Sequence, residues 1–300
     1  MSFCVPEPGD AFRLDRPRLR AAFERASESY ESAARLQAEV AAELLARLDA
    51  FDFTPRVVLD LGAGTGRATR ELKRRYPRAL VIALDLAPAM LRAARRNQPW
   101  WRRFARLCGD ALRLPLRTAS VDLVFSSLML QWCEPLDAAL AEVRRVLCPA
   151  GHFAFSTFGP DTLQELRAAW AEVDAHTHVN RFIDMHGVGE SLVHAGLAEP
   201  VLDVDRIELG YPDTLTLMRD LKAIGAHNAT AGRPRTLIGR RRLERMSAAY
   251  EAFRRGTQLP ATYEVIYGAS WGAAPRAASP AASEVHVPLS AVRRRGPPPP

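Results

Sequence analysis

Three carboxylates and three glycines mark where this chain can do chemistry. Asp60 precedes Gly62, Gly64 and Gly66 in "LDLGAGTGR", Asp85 closes the apolar run "ALVIALD", and Asp110 follows "ARLCG". Glycines at the end of an apolar run let the chain turn tightly and let a ligand approach the bare main chain. The spacing decides which ligand. A dinucleotide site wants G-x-G-x-x-G, with its third glycine five positions after the first. Here that position is Arg67, and Gly66 comes one residue earlier. The resulting D-x-G-x-G-x-G disfavours a dehydrogenase and suits a nucleoside that carries a charged amino-acid tail. Asp85 can accept both hydroxyls of a ribose through its two oxygens. Asp110 can accept from an adenine amino group, and Asp60 can meet a cationic amino group directly or through water. One acid at a strand end is commonly a helix cap. Three acids at three successive strand ends select a binding site.

The elements that position these residues alternate in type. "RVVLDL", "ALVIALDL", "ARLCGDA", "VDLVFSSL" and "GHFAFSTF" read as strands, nearly continuous in apolar character. "TGRATRELKRRY", "APAMLRAARRN" and "LDAALAEVRRVL" read as helices between them, the last ended by Pro149 and Gly151. Such alternation predicts a parallel sheet covered on both faces, with ligands at the carboxyl ends of its strands. Before it, residues 11–50 read as helical. After Phe158 the rhythm changes. Helices are expected over 161–174, 184–197 and 213–228, strands over 199–209 and 261–271, and a further helix ending at Tyr250. The stretch from Ala273 to the end carries seven prolines and few apolar residues, and is expected to be disordered.

Composition narrows the class. Apolar content of 48% and charged content of 25% are those of a globular protein. No window approaches the roughly 18 apolar residues of a spanning helix, and "MSFCVPEPGD" has no signal-peptide pattern. Cys4, Cys108, Cys133 and Cys148 form no CxxC pair, so neither zinc nor a disulfide framework is expected. His176 and His178 in "HTHVN" read as a simple loop, and no metal is expected. A reduced, cytoplasmic protein follows, with no membrane partner. The net charge is +7, concentrated between Arg219 and Arg245, where eight basic residues face two acids. That asymmetry points to an acidic partner or to a solvated arginine-rich face.

At the level of motifs, "LDLGAGTGR", "ALDLAPAML", "CGDALRLPL" and "VDLVFSSLMLQW" resemble the four cofactor motifs of the class I S-adenosylmethionine-dependent methyltransferases, over roughly residues 55–158. The resemblance implies an α/β, doubly wound, Rossmann-like sheet of seven mostly parallel strands. It implies S-adenosylmethionine as cofactor, held by Asp60, Gly62, Gly64, Gly66, Asp85, Leu86, Asp110, Ala111 and Gln131. The Asn/Asp-Pro-Pro-Tyr/Phe motif of base-amine methyltransferases does not follow the fourth strand, where the chain reads "SSLMLQWCEP". Nucleic acid is therefore not expected as a partner.

Outside that core, "AAFERASESYESAARLQ", "FSTFGPDTLQELRAAWAEVD", "HVNRFIDMH", "YPDTLTLMRDLKAIGAHN" and "LPATYEVIYGASW" resemble the malonyl-acyl-carrier-protein O-methyltransferases of biotin synthesis, over about residues 20–271. This implies methylation of the free carboxylate of a malonyl thioester, on acyl carrier protein or coenzyme A. It implies an N-terminal helical lid over 1–50, a methyltransferase domain over 51–272 with substrate-binding insertions at about 160–185 and 212–259, and a tail over 273–300. A carboxylate substrate wants an arginine or lysine to orient it. Arg181, Arg145, Arg219 and Lys222 are the candidates. Tyr30 and Gln37 are expected to close the lid, with Tyr30 grouped with Arg181 and Arg145 as catalytic. Trp132 is a core or rim aromatic, and Cys133 a small apolar filler. A monomer is expected. Three other readings stand beside this one: C- or O-methylation of a quinone-type ring, a non-catalytic scaffold, and an RNA methyltransferase supported by charge alone.

Overall fold

A computed structural model describes residues 14–226 and 239–273. The chain enters through three helices, α1 (Arg16–Ala26), α2 (Tyr30–Ala33) and α3 (Arg35–Arg47). The α/β alternation follows: β1 (Val57–Leu61), α4 (Arg67–Arg75), β2 (Leu80–Asp85), α5 (Pro88–Asn97), β3 (Ala105–Cys108), β4 (Val121–Ser127), α6 (Leu136–Val146) and β5 (Leu147–Phe158). The remainder comprises α7 (Gln164–Ala171), α8 (Met185–His194), β6 (Leu197–Tyr211), α9 (Thr214–Ala223), α10 (Arg240–Tyr250) and β7 (Leu259–Gly272). The strands form one seven-stranded sheet in the order β3-β2-β1-β4-β5-β7-β6, in which β7 runs antiparallel to both neighbours. The expected doubly wound, mostly parallel sheet is present.

Alternation along the strands builds a core on each face. Val58, Val81, Leu123 and Phe125 pack with Leu36, Val40 and Leu44 of α3 and Leu72 of α4. Their neighbours Leu59, Leu61, Ile82 and Val124 pack on the other face with Leu140 and Val143 of α6 and Leu192 of α8. Polar residues set the helix starts. Asp15, Asp184 and Asp213 each accept a backbone N–H in the first turn of α1, α8 and α9.

The single helical region expected over 11–50 is interrupted twice. Ser27 and Ser29 bond back to the carbonyls of Glu24 and Ala26, and Ala34 takes a non-helical ψ of 51°. The helix before the fifth strand ends at Val146, because Leu147 already pairs with Val121 ahead of Pro149 and Gly151. The proline-rich stretch lies outside the described residues, apart from Ala273, and so do Arg233, Arg235 and Cys4.

Candidate active site

The first turn is fastened to the second strand. The N–H groups of Gly62 and Ala63 both donate to the carbonyl of Leu84 at 2.9 Å. Gly64 N–H donates to Asp85 Oδ2 at 2.9 Å, and Ala87 N–H to Asp85 Oδ1 at 2.8 Å. Burial pushes the Asp85 carboxyl up, and backbone N–H groups of Ala87, Gly64 and Leu86 partly counter it. A carboxylate has about four acceptor positions, so these N–H groups do not exhaust it. All three glycines have positive φ, at 81°, 53° and 79°. They differ in what a side chain would strike. A Cβ on Gly62 would collide with Met129, and one on Gly66 would press on Ala94 and Phe104. A Cβ on Gly64 would meet only Tyr30 Cε1, at 3.9 Å.

A cleft of about 980 Å³, part of it open to solvent, lies over these strand ends. Gly62, Gly64, Asp85, Leu86, Asp110, Ala111 and Gln131, all expected from sequence to hold the cofactor, line it. Tyr30 and Gln37 line it from the N-terminal helices. Burial, then the negative charge of Asp85, push the Tyr30 phenol up to about 12. Burial likewise pushes the Cys133 thiol to about 12. Both are protonated at neutral pH.

Asp60 and Gly66 stand behind this wall. Asp60 is 2% exposed and accepts the hydroxyl of Thr69, from the first turns of α4. Burial lifts its carboxyl to about 7. Gly66 serves the close approach of α4 to α5.

Arg145 does not reach the cleft. Its guanidinium pairs with Glu142 through contacts of 2.7 and 2.8 Å, and donates to the carbonyls of Leu114 and Leu116 at 2.9 and 2.8 Å. It clamps α6 to the loop before β4, and that structural work occupies its donors. Arg219 and Lys222 are exposed on α9, where Ile224 and Ala226 are the neighbours that line the cleft. Arg181 lines an adjoining pocket of about 740 Å³, part of it open to solvent, which shares Gln131, Cys133 and Phe158 with the cleft. His178 is no simple loop residue. Its ring stacks on Trp170 at 3.8 Å, and its Nε2 lies 2.9 Å from Asp174 Oδ1. Among the described residues no group of three or more His, Cys, Asp or Glu could hold a metal.

Several residues at the site were not singled out from sequence. Arg16 on α1 pairs with Asp110 across the cleft edge. Phe23 packs edge-on to Trp132 at 5.5 Å and, with Tyr30, roofs the cleft. Leu128, at the exit of β4, has φ of 49° and lines the cleft, its N–H held by Ser156. Asn180 is 8% exposed with no partner for Oδ1, and lines two cavities beside Phe158. None carries a sequence signal beyond its neighbourhood, since pairing across 94 residues leaves no local spacing.

The strand order, the D-x-G-x-G-x-G turn and the cleft define a class I S-adenosylmethionine-dependent methyltransferase. The residues fit that cofactor: Gly64 leaves its side of the cleft bare, and Asp85 keeps acceptor capacity there. A family model for the methyltransferase domain matches residues 59–155. The chain is 52% identical over 275 residues to the malonyl-acyl-carrier-protein O-methyltransferase of Laribacter hongkongensis, covering 89% of this chain and 93% of that one. It is 50% identical over 292 residues to the enzyme of the same name from Halorhodospira halophila, covering 96% and 99%. The chain belongs to the malonyl-acyl-carrier-protein O-methyltransferase family. Solved structures share the fold at lower identity. A putative methyltransferase from Bacillus halodurans matches at TM-score 0.55 and 16% identity, over 78% of this chain and 99% of that one. The [4+2]-cyclase SpnF matches at 0.50 and 18%, over 79% and 82%. The sheet alone therefore does not select the reaction.

Proposed function

We propose that this enzyme transfers the methyl group of S-adenosylmethionine to the free carboxylate of malonyl-acyl-carrier protein, the ester-forming step expected of this family in biotin synthesis. The observation that carries this reading is identity of about half over nine-tenths of the chain to enzymes of that name. The match reaches well past the cofactor core, into the segments around α7, α9 and α10 that would bind substrate. The cofactor, when bound, supplies a methyl group already activated on sulfonium. The protein then has to hold an ionised carboxylate in line with that methyl and keep water out. An ionised carboxylate needs no base. Tyr30 and Cys133, both held protonated, neither compete for the methyl nor serve as bases at neutral pH.

The residue roles are part of the proposal. Asp85 accepts from the ribose, Asp110 from the adenine amine, and Asp60 answers the cationic tail through water. Gly62 and Gly64 clear space, while Leu86, Ala111 and Gln131 shape the wall. Tyr30 closes the lid formed by residues 1–50. Arg181 orients the malonyl carboxylate. The basic stretch from Arg219 to Arg245 steers the acidic carrier protein toward segments 160–185 and 212–259. The enzyme acts as a cytoplasmic monomer. No helix among the described residues is long and apolar enough to cross a membrane.

The test is incubation with methyl-labelled cofactor and malonyl-acyl-carrier protein. Base-labile label on the carrier is the expected result. Absence of a methyl ester on both malonyl-carrier protein and malonyl-coenzyme A would remove the assignment.

A further inference from the structure

Catalysis leaves one surface unused. Between Leu86 and Gly109 the chain holds six arginines and no acid. Within that stretch Trp100 and Trp101 are 76% and 65% exposed, among the most exposed large apolar side chains of the described residues. The loop that presents them is well fastened. Gln98 Nε2 donates to the carbonyl of Phe104 at 3.2 Å, Arg103 Nε to that of Trp100 at 3.3 Å, and Arg102 N–H to that of Pro99 at 3.2 Å. Phe104 fills the core from the same loop at 5% exposure. The loop thus buries one aromatic and holds two outward. Arg95, Arg96, Arg102 and Arg103 flank them in the chain, all exposed, and among the described residues none has a carboxylate partner. Leu80, 54% exposed, starts the neighbouring strand at the same end.

The position excludes the reaction's own partners. Helix α5 starts beside the cleft at Pro88 and runs ten residues to Asn97, a rise of about 15 Å. The loop then leads into the amino end of β3, whose carboxyl end carries Asp110. The tryptophans precede the amino end of β3, the opposite end of the sheet from the cleft, and neither lines the cleft. A second copy of the chain docked on the same surface would bring these four arginines against four more. Single-stranded nucleic acid wants successive ring faces free for stacking, whereas here the edge of one indole takes a face of the other, at 5.5 Å and 88°. An anionic bilayer fits both parts. Indole rings settle at the boundary of headgroup and acyl chain, and arginines pair with phosphate above it. We propose that the Trp100–Trp101 loop docks this enzyme reversibly on anionic lipid surfaces, leaving the catalytic cleft facing the solvent.

The test uses the full chain and sealed vesicles, one set with about a third phosphatidylglycerol in phosphatidylethanolamine, the other of phosphatidylcholine alone. Co-flotation with the anionic set at low salt is expected, weakening at high salt. Brominated acyl chains should quench part of the tryptophan emission. The double variant Trp100→Ala/Trp101→Ala should lose that quenching and bind at least about tenfold more weakly. Arg95→Glu/Arg96→Glu should bind as weakly. Both variants should keep full methyl transfer to malonyl-carrier protein in solution, since neither touches the cleft. Absence of flotation, equal binding to both vesicle sets, or undiminished binding by the tryptophan variant would each overturn the proposal. So would a single-stranded oligonucleotide that displaces the protein from vesicles at lower concentration than it is bound there.

Discussion

Asp85 grips the glycine turn from the neighbouring strand: its Oδ2 takes the N–H of Gly64 at 2.9 Å while its Oδ1 takes that of Ala87 at 2.8 Å. One carboxylate thus fixes the shape of the turn and faces the cleft. Asp85→Ala should weaken S-adenosylmethionine binding by about 1–3 kcal/mol through lost charged hydrogen bonds, read by calorimetry. Unchanged affinity would mean that the ribose lies elsewhere.

Asp60 gives the cofactor site a pH dependence. With its carboxyl raised to about 7 by burial, it is largely protonated in the free enzyme below that pH. A cation bound nearby favours the ionised form, so binding below pH 7 must release a proton. Affinity should rise between about pH 6 and 8, and Asp60→Asn should flatten that rise. The folded value lies above the unfolded one, so the group's own contribution to the free enzyme's stability is present at low pH and lost as pH rises through 7. Affinity independent of pH in the parent enzyme would place the cofactor's amino group away from Asp60.

His152 sets an opposing stability term far from the site. It is fully buried, neither ring nitrogen has a partner, and Phe51 and Trp271 pack on it at 4.2 and 4.5 Å. Burial lowers its value from 6.5 to about 4. The unfolded chain takes up the proton first, so stability falls as pH drops from 6.5 toward 4, by about 3 kcal/mol from this group. His152→Phe should remove that part of the slope. Parallel denaturation series of parent and variant at several pH values measure it, and identical slopes would refute it.

Arg145 and Arg181 should separate stability from substrate use. Arg145→Ala breaks the clamp on the carbonyls of Leu114 and Leu116 and should cost about 1–2 kcal/mol in stability, with KM unchanged for both substrates. Arg181→Ala should raise KM for malonyl-carrier protein about tenfold while leaving cofactor affinity intact. Steady-state kinetics beside urea melts distinguish the two. A raised KM in the Arg145 variant would return that residue to the site.

Gly66→Ala tests the division of labour among the glycines. Its φ of 79° and the contacts at 3.0 and 3.3 Å to Ala94 and Phe104 predict a loss of about 1–2 kcal/mol in stability. Cofactor affinity in the folded fraction should hold. A selective loss of affinity would show that Gly66 faces the cofactor after all.

Much of this molecule follows from local sequence. The alternation of "VVLDL", "LVIALD" and "VDLVFSS" with helical segments specifies a parallel sheet, because only side chains buried on both faces make strands so evenly apolar. The acids Asp60, Asp85 and Asp110 are readable because each lies at or within two residues of the end of its own strand, and parallel strands deliver their ends to one edge. Tertiary structure decided what distance in sequence conceals. Asp60 and Asp85 look alike as strand-end acids, yet Thr69 seals one beneath the turn while the other opens on the cleft. Arg145 and Arg181 look alike as orienting cations, yet two backbone carbonyls claim the first. The pairing of Arg16 with Asp110 and the partnerless oxygen of Asn180 arise from chain crossings that no spacing encodes. Packing geometry, rather than residue type, settled which groups face the cleft.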